Sequence, residues 1–196
     1  MEESKKLSVK DLINIGVFTA LYFVVFFVVS FVGYVPILLI LLPAICPIVA
    51  GIPYMLFLTR VKKFGMVTIM ALILGLLELV MGRPWPVVLI AIAAGLCADL
   101  ILKTGQYKSV KFCVLSSGVF SLWMVGMALP LFFGYRDNYL AGLVSGYGQA
   151  YVDTLASLTP DWAFFALIVL CFIGGFIGGF LGSAVLKKHF KRAGMA

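Results

Sequence analysis

The sequence predicts an all-α membrane protein that crosses the bilayer six times and keeps both termini in the cytoplasm. Hydrophobic residues make up 63% of the 196 residues, and charged residues make up only 12%. Soluble domains are nearer half apolar and carry about 25% charged residues, so a water-soluble fold would leave too much apolar surface in water. Backbone polar groups in lipid must be satisfied within the chain, and the long apolar runs therefore predict helices.

Basic residues mark the ends of the apolar runs that we expect on the inner side. Thirteen of the fifteen Lys and Arg residues form four clusters: Lys5, Lys6 and Lys10; Arg60, Lys62 and Lys63; Lys103, Lys108 and Lys111; and Lys187, Lys188, Lys191 and Arg192. Cytoplasmic loops are enriched in Lys and Arg, so the clusters predict the direction of each crossing. The cytoplasmic rim of the protein accounts for the net charge of +7 and can contact anionic headgroups of the lipid bilayer, and we expect no nucleic acid partner.

Six runs approach the ~20 apolar residues that a spanning helix needs. The predicted spans are 11–33, 36–59, 65–82, 85–102, 110–133 and 162–186. Together they predict one six-helix transmembrane domain over residues 1–196. The first run is too long for a cleaved signal peptide, and no small-residue cleavage site follows it.

The second span contains three prolines, Pro43, Pro47 and Pro53. Each proline removes a backbone donor and favours a kink. Proline is commoner in membrane helices than in soluble ones. The sequence therefore predicts a kinked helix, with an unwound, movable segment as the alternative.

The outer loop at 134–161 breaks the pattern of short turns. Its 28 residues include tyrosines four positions apart, Tyr135 with Tyr139 and Tyr147 with Tyr151. Loops of this length are usually functional or disordered, but residues four apart share one face of a helix. We expect a partly helical loop that lies on the membrane surface or folds back as a lid. An aromatic anchor in the lipid headgroups is the alternative.

Small residues recur at four-residue spacing on two spans. On the last span Gly174, Gly178 and Gly182 form one stripe, for which we expect close packing inside the bundle. Gly16 and Ala20 form a similar pair near the inner end of the first span. That pair has two interpretations, which are contact with another helix of this chain and docking of another protein.

Glu78 is a charged residue within a predicted span, about one turn before the outer end of the third. Such groups are costly in lipid and usually face a partner or a watery cavity. Pairing with nearby Arg83 is one interpretation. The other places Glu78, Arg83 and Trp85 at the mouth of an outward-facing pocket for a small molecule. The remaining candidate substrate-binding residues are Trp123, Tyr135, Arg136, Asp137, Asn138, Tyr147 and Gln149.

The polar groups of this pocket suit a planar or zwitterionic ligand. Aromatic walls with few polar groups are typical of small-molecule sites, although core packing is an alternative for Trp123. The other acidic residue near a span, Asp99, precedes Lys103 by four residues, which predicts an ion pair at the inner edge.

Several kinds of chemistry are missing from the sequence. It has no G-x-x-x-x-G-K-[ST] phosphate loop for ATP hydrolysis. Its single histidine, His189, lies in the basic tail, and the four cysteines are scattered without metal-ligand spacing. We therefore expect no metal, no cofactor and no enzymatic activity.

Six spans, cytoplasmic termini, a short chain and no ATPase motif together resemble the substrate-binding S components of energy-coupling factor (ECF) transporters. The segment at 11–21, Asp-Leu-Ile-Asn-Ile-Gly-Val-Phe-Thr-Ala-Leu, is similar to the first helix of that family. The family's alanine-x-x-x-alanine surface corresponds here to Gly16 and Ala20. The whole chain also resembles a branch of proposed S components found in streptococci, treponemes and clostridia.

The resemblance implies a subunit of the bacterial plasma membrane that captures a vitamin-like or other small nutrient from outside. It implies three partners, a transmembrane coupling protein and two ATPase subunits, with docking at Gly16 and Ala20. It also places the substrate site on the outer side, between outer loops and the later helices.

Two other functions compete with this interpretation. A self-sufficient secondary transporter or channel usually shows inverted repeats or ionisable relays within the membrane. The last three spans do not clearly repeat the first three, and Glu78 and Asp99 lie toward opposite faces. A membrane enzyme would need catalytic groups that the sequence does not supply. An S component needs an ATPase partner, a transporter works alone in liposomes, and an enzyme makes a product.

Overall fold

The computed structural model describes residues 6–192 and 194, and Lys5 of the first basic cluster lies outside them. The described residues form ten α-helices and no strands. In chain order they are α1 (Val9–Ser30), α2 (Pro36–Leu58), α3 (Met66–Val80), α4 (Pro86–Thr104), α5 (Val110–Ser121), α6 (Val125–Ala128), α7 (Arg136–Tyr147), α8 (Gln149–Ser157), α9 (Trp162–Val185) and α10 (Lys187–Arg192). Short 3₁₀ segments at Phe31–Tyr34, Leu122–Met124 and Leu129–Leu131 follow α1 and divide the fifth span.

Helix lengths confirm the all-α polytopic fold. Five helical segments are long and apolar enough to cross a membrane, namely Val9–Tyr34, Pro36–Leu58, Pro86–Thr104, Val110–Leu131 and Trp162–Val185. The third predicted span, α3, has only 15 residues. At 1.5 Å per residue it measures about 22 Å, against about 30 Å for the hydrocarbon core of a bilayer. The polar groups at both of its ends therefore need partners from other parts of the chain.

Asp99 of α4 satisfies the inner end of α3. Its Oδ2 accepts hydrogen bonds from Gly65 N (3.1 Å), Thr68 N (2.8 Å) and Thr68 Oγ1 (2.6 Å). A carboxylate at this position satisfies N–H groups that the first turn leaves free, and it complements the helix dipole. The predicted pair between Asp99 and Lys103 is therefore wrong. Lys103 instead lies over the Phe64 ring, with Nζ 5.6 Å from its centre.

α2 is an uninterrupted helix through Pro43, Pro47 and Pro53. The alternative prediction of an unwound segment in the second span is therefore wrong. The glycine stripe of α9 packs against this helix, as predicted. A Cβ on Gly178 would contact the carbonyl oxygen of Pro47, and one on Gly51 would lie 2.6 Å from Gly178 Cα. Because neither position has room for a side chain, the two backbones approach closely.

The outer loop at 134–161 forms α7 and α8, which confirms that it is partly helical. Gly148 separates the two helices with φ at +83°, a conformation that favours glycine. Val152 and Leu155 of α8 are buried, and Leu155 packs with the outer ends of α2 and α9. No residue of α7 is fully buried. The loop therefore lies across the outer end of the bundle, with α8 packed firmly and α7 more loosely.

The predicted inner and outer loops gather at opposite ends of the bundle. At the inner end Lys63 Nζ pairs with Asp11 Oδ2 (2.9 Å), and both residues line a pocket together with Arg192 of the tail. At the outer end the Tyr151 hydroxyl donates to Gly33 O (2.6 Å), which joins α8 to the first outer turn. This separation agrees with the six alternating crossings that the basic clusters predict.

Candidate functional site

Glu78, Arg83 and Tyr139 form a polar network at the outer end of the bundle. Arg83 Nε lies 3.5 Å from Glu78 Oε2, and Arg83 Nη1 donates to the Tyr139 hydroxyl (2.9 Å). The Arg83 guanidinium also lies over the Tyr139 ring, 5.6 Å from its centre. The Glu78 side chain is 2% exposed and that of Arg83 is 23% exposed. The network therefore links the end of α3 to α7 through an ion pair that is almost closed to solvent.

The end of α3 positions this ion pair. Gly82 has φ at +89°, and its N–H donates to Leu79 O (3.1 Å) while Arg83 N donates to Glu78 O (3.0 Å). This pattern is a Schellman motif, in which a left-handed glycine reverses the chain and satisfies the last carbonyls of a helix. The reversal brings the Arg83 side chain back over the last turn, where Glu78 lies. The pairing interpretation of Glu78 is therefore confirmed, and its place at the mouth of a ligand pocket stays a prediction.

One oxygen of Glu78 takes no part in the hydrogen bonds of the network. Among the described residues, Glu78 Oε1 is buried and has no hydrogen-bond partner. A buried carboxylate oxygen without a partner is costly, so a donor at this position would be favourable. Beside the network lies a cavity of about 20 Å³, lined in part by Arg83, Tyr139 and Met127. A cavity of this size holds one water.

A second outer cavity lies beside the first and has a volume of about 140 Å³. Its lining includes Tyr34 and Tyr147, whose ring centres are 5.7 Å apart. Leu39 of α2 lines both cavities and so lies between them. Tyr151 closes this region through its bond to Gly33, and burial raises the pKa of the Tyr151 hydroxyl to about 12, which keeps it protonated as a donor.

The structure brings only part of the predicted site together. Glu78 and Arg83 meet, and Tyr147 lines the neighbouring cavity. Trp123 is fully buried in the core, where its Nε1 donates to the Tyr22 hydroxyl (3.3 Å), so it packs as its alternative interpretation described. The remaining candidates except Arg136 are exposed at the outer surface: Trp85, Tyr135, Asp137, Asn138 and Gln149.

Arg136 binds the backbone of its own loop. Its Nη1 donates to Leu131 O (2.9 Å) and Thr159 O (2.6 Å), and its Nη2 donates to Ala156 O (2.8 Å). The planar guanidinium suits this arrangement of several carbonyl acceptors. Arg136 thus ties the start of α7 to the residues before and after the two loop helices. Its position supports the cover over the site, and both of its Nη atoms already donate to backbone carbonyls.

Sequence reasoning missed Tyr139 and Leu39 as site residues. Tyr139 was identified in the sequence only through its spacing from Tyr135, which places both on one face of α7. The structure turns Tyr139 inward to Arg83, while Tyr135 is 41% exposed. Leu39 carries no polar group, so nothing in the sequence distinguishes it from the other leucines of α2.

The predicted docking pair lies on the outside of the bundle. Gly16 and Ala20 are both exposed on α1, and a Cβ added to Gly16 would meet no atom within 4 Å. In the most apolar stretch of the first span only 22% of the residues are buried, which is the smallest share among the five long spans. Packing against another helix of the described chain therefore does not account for this pair of small residues.

Comparison with known proteins places the chain in a family. No curated protein and no solved structure matches it. Residues 9–192 match the model of a family described as "Hypothetical bacterial integral membrane protein (Trep_Strep)". That match covers nearly the whole chain and agrees with the apolar spanning helices. The chain therefore belongs to the Trep_Strep family of bacterial integral membrane proteins.

Proposed function

We propose that this protein is the substrate-capture subunit of an ECF-type importer. It binds a vitamin-like or other small nutrient from outside and delivers it together with a separate coupling protein and two ATPase subunits. The observation that carries the proposal is the nearly closed Glu78–Arg83–Tyr139 network at the outer end, beneath a two-helix cover. Charged groups at this depth in a membrane protein are costly and usually functional.

The network suits a ligand that carries both a donor and an anionic group. Glu78 Oε1 accepts from the donor, and Arg83 binds the anionic group once the bond to Tyr139 opens. The two outer cavities have volumes of about 20 and 140 Å³, whereas small-molecule sites usually measure 300–1,000 Å³. Ligand entry therefore requires the cover to move away from the bundle. α7 is the part best suited to move, because no residue in it is fully buried and Gly134 and Gly148 flank it with positive φ.

Docking on the energising module uses the exposed pair Gly16 and Ala20. Small residues at this spacing let a partner helix approach the backbone closely. The pair lies on the least-covered span, both residues are exposed, and a Cβ added to Gly16 would meet no atom within 4 Å. This supports a surface kept free for another protein.

A self-sufficient transporter or channel is the alternative, and the packing along α3 disfavours it. Glu78 lies near the outer end of α3, and Asp99 caps its inner end. Met70, Ala71 and Leu74 lie between these ends and are fully buried. A relay needs ionisable groups within reach of one another, and this stretch of α3 offers none.

Retention of the native ligand tests the outer site. The tagged protein is purified from its host in mild detergent, and small molecules released on denaturation are identified by mass spectrometry. We expect the wild type to retain a small molecule that Glu78→Gln loses, because the amide removes the negative charge and replaces one acceptor oxygen with an NH2 donor. Asp153→Asn is the matched control, since Asp153 is an exposed carboxylate of the same outer region. Equal retention by a folded Glu78→Gln variant would refute the site.

A further inference from the structure

A second pocket lies at the cytoplasmic end of the bundle, far from the outer site. Its volume is about 570 Å³, and it is open to one side. Three parts of the chain meet there: the start of α1, the turn after α2, and the tail helix α10. The lining residues are Lys10, Asp11, Asn14, Thr59, Arg60, Lys62, Lys63, His189 and Arg192.

The charge of this pocket is strongly positive. Its lining contains five Lys and Arg side chains and a single carboxylate, Asp11. Asp11 is already engaged, because it pairs with Lys63 (2.9 Å) and accepts from Ser8 N (2.8 Å) in the cap of α1. The other four cations are Lys10, Arg60, Lys62 and Arg192, and none of them forms an ion pair within the described residues. Like charges held around one concave surface repel each other, so an anion in the pocket would stabilise the arrangement.

The backbone holds these cations together around the pocket. Arg60 lies in the turn that ends α2, where its N–H donates to Phe57 O (2.8 Å). Thr59 is buried beside it, and its hydroxyl donates to Leu56 O (2.7 Å), which fixes this side chain at the pocket wall. Asn14 lines the same pocket one turn along α1 from Lys10. The Asn14 amide is a neutral donor beside cationic groups, and hydrogen bonds from cationic groups to phosphate oxygens are among the strongest in proteins.

The pocket lies beside an apolar surface that faces the lipid. Val9, Ile13 and Val17 follow one another at four-residue spacing along α1, and they are 74%, 60% and 60% exposed. This stripe begins next to Lys10 and runs toward the middle of the bilayer. Basic pockets at the cytoplasmic ends of membrane helices are typical sites for anionic lipid headgroups. A lipid phosphate in the pocket would leave its acyl chains against this stripe.

We propose that this cytoplasmic pocket binds the phosphate headgroup of an anionic phospholipid. The bound lipid connects α10 to the inner ends of α1 and α2. Because the lipid binds the folded protein, it stabilises that state by an amount that rises with the logarithm of lipid concentration over Kd. The site is independent of the outer network, so the two proposals fail separately.

Native mass spectrometry of the delipidated protein tests this site, with phosphatidylglycerol as the probe and phosphatidylcholine as the neutral comparison. The variant carries Arg60→Gln, Lys62→Gln and Arg192→Gln. The matched control carries Lys108→Gln, Lys111→Gln and Lys187→Gln, which removes the same charge from exposed residues outside the pocket. We expect about fivefold weaker phosphatidylglycerol binding for each pocket charge removed, which gives roughly 100-fold for the variant and little change for the control. Equal losses in both variants, or equal binding of phosphatidylcholine, would overturn the proposal.

Two further arms separate the lipid from other anions. Soluble glycerol phosphate carries the same phosphate without acyl chains, and we expect it to compete only weakly. Competition as strong as that of phosphatidylglycerol would overturn the lipid assignment.

Glu2 and Glu3 precede the pocket in sequence and lie outside the described residues. If Glu2→Gln with Glu3→Gln leaves lipid affinity unchanged, the lipid assignment stands, whereas a tenfold gain would make the N-terminal segment the occupant. The single variant Arg60→Gln, with an expected fivefold loss, serves as the test if the triple variant does not fold.

Discussion

Arg83 and Arg136 are the two arginines outside the basic clusters, and both lie at the outer end of the molecule with different tasks. Arg83 pairs with Glu78 and donates to Tyr139. Arg136 donates to the carbonyls of Leu131, Ala156 and Thr159. From the sequence both were candidate ligand-binding residues. Only the folded loop distinguishes them, because the sequence does not show which backbone carbonyls will lie near an arginine.

Arg136→Lys is expected to loosen the outer cover. Lysine keeps the charge, but its single ammonium does not reproduce the fork of N–H groups with which Arg136 binds three carbonyls. We expect a loss of about 2 kcal/mol in the free energy of unfolding, since hydrogen bonds to charged groups contribute about that much each. Chemical or thermal unfolding in detergent measures it. The exposed neighbour Asp137→Asn is the control, with a change within about 0.5 kcal/mol. Similar changes in unfolding free energy for both variants would mean that the hydrogen bonds of Arg136 do not stabilise the protein.

Arg83→Gln is expected to destabilise the protein more than Glu78→Gln does. Removing Arg83 leaves a carboxylate that is 2% exposed without its counter-ion, and breaking a buried pair costs about 3 kcal/mol. Removing Glu78 leaves Arg83 with Tyr139 and with partial access to water. The double variant should recover part of the loss in a double-mutant cycle of unfolding free energies. Additive effects of the two single changes would show that the pair is not coupled.

At the scale of the helices, the sequence predicted which segments are helical and in which direction they cross better than it predicted where each helix is interrupted. Basic clusters and apolar runs placed five long spans within a few residues of their observed bounds. α3 is shorter than its predicted span of 65–82 because a Schellman motif at Gly82 ends it and Asp99 caps its start. The fifth span is divided by two 3₁₀ segments, which hydropathy does not reveal.

The glycines of α9 and α1 predict opposite responses to the same substitution. Gly178→Ala would force a methyl group against the Pro47 carbonyl and within 2.9 Å of Ile48 O, so we expect a loss of about 2 kcal/mol or more. Gly16→Ala meets no neighbour within 4 Å and improves helix propensity, so stability should stay equal or rise by up to about 1 kcal/mol. Thermal unfolding of the two variants compares them. A destabilised Gly16→Ala would contradict the exposed position of this residue.

Gly16→Leu and Ala20→Leu are expected to abolish docking while leaving ligand retention intact. A leucine on this face prevents the close backbone approach that small residues allow. Val17→Leu is the control, because Val17 is exposed on the same helix but lies outside the small-residue pair. Co-purification with the coupling protein measures docking. If both variants still co-purify like the wild type, another surface of the protein makes the contact.

At the scale of the whole molecule, the two ends have different chemistry. The outer end is covered by α7 and α8 and holds one nearly closed ion pair, whereas the inner end is open and basic. The basic clusters predicted the positive charge of the inner end, and the tyrosine spacing predicted a partly helical loop at the outer end. They did not predict which loop residues converge, since Tyr139 turns inward while Tyr135 does not. Which of the two tyrosines points inward depends on how α7 packs against the bundle.

Partner identification tests the central claim most directly, because an S component transports only with its energising module. The tagged protein is purified from its native host in mild detergent, and co-purifying proteins are identified by mass spectrometry. We predict a transmembrane coupling protein and two ATPases, all three lost from the Gly16→Leu variant. A solitary protein that takes up a small molecule into liposomes without ATP would contradict the account and establish a self-sufficient transporter.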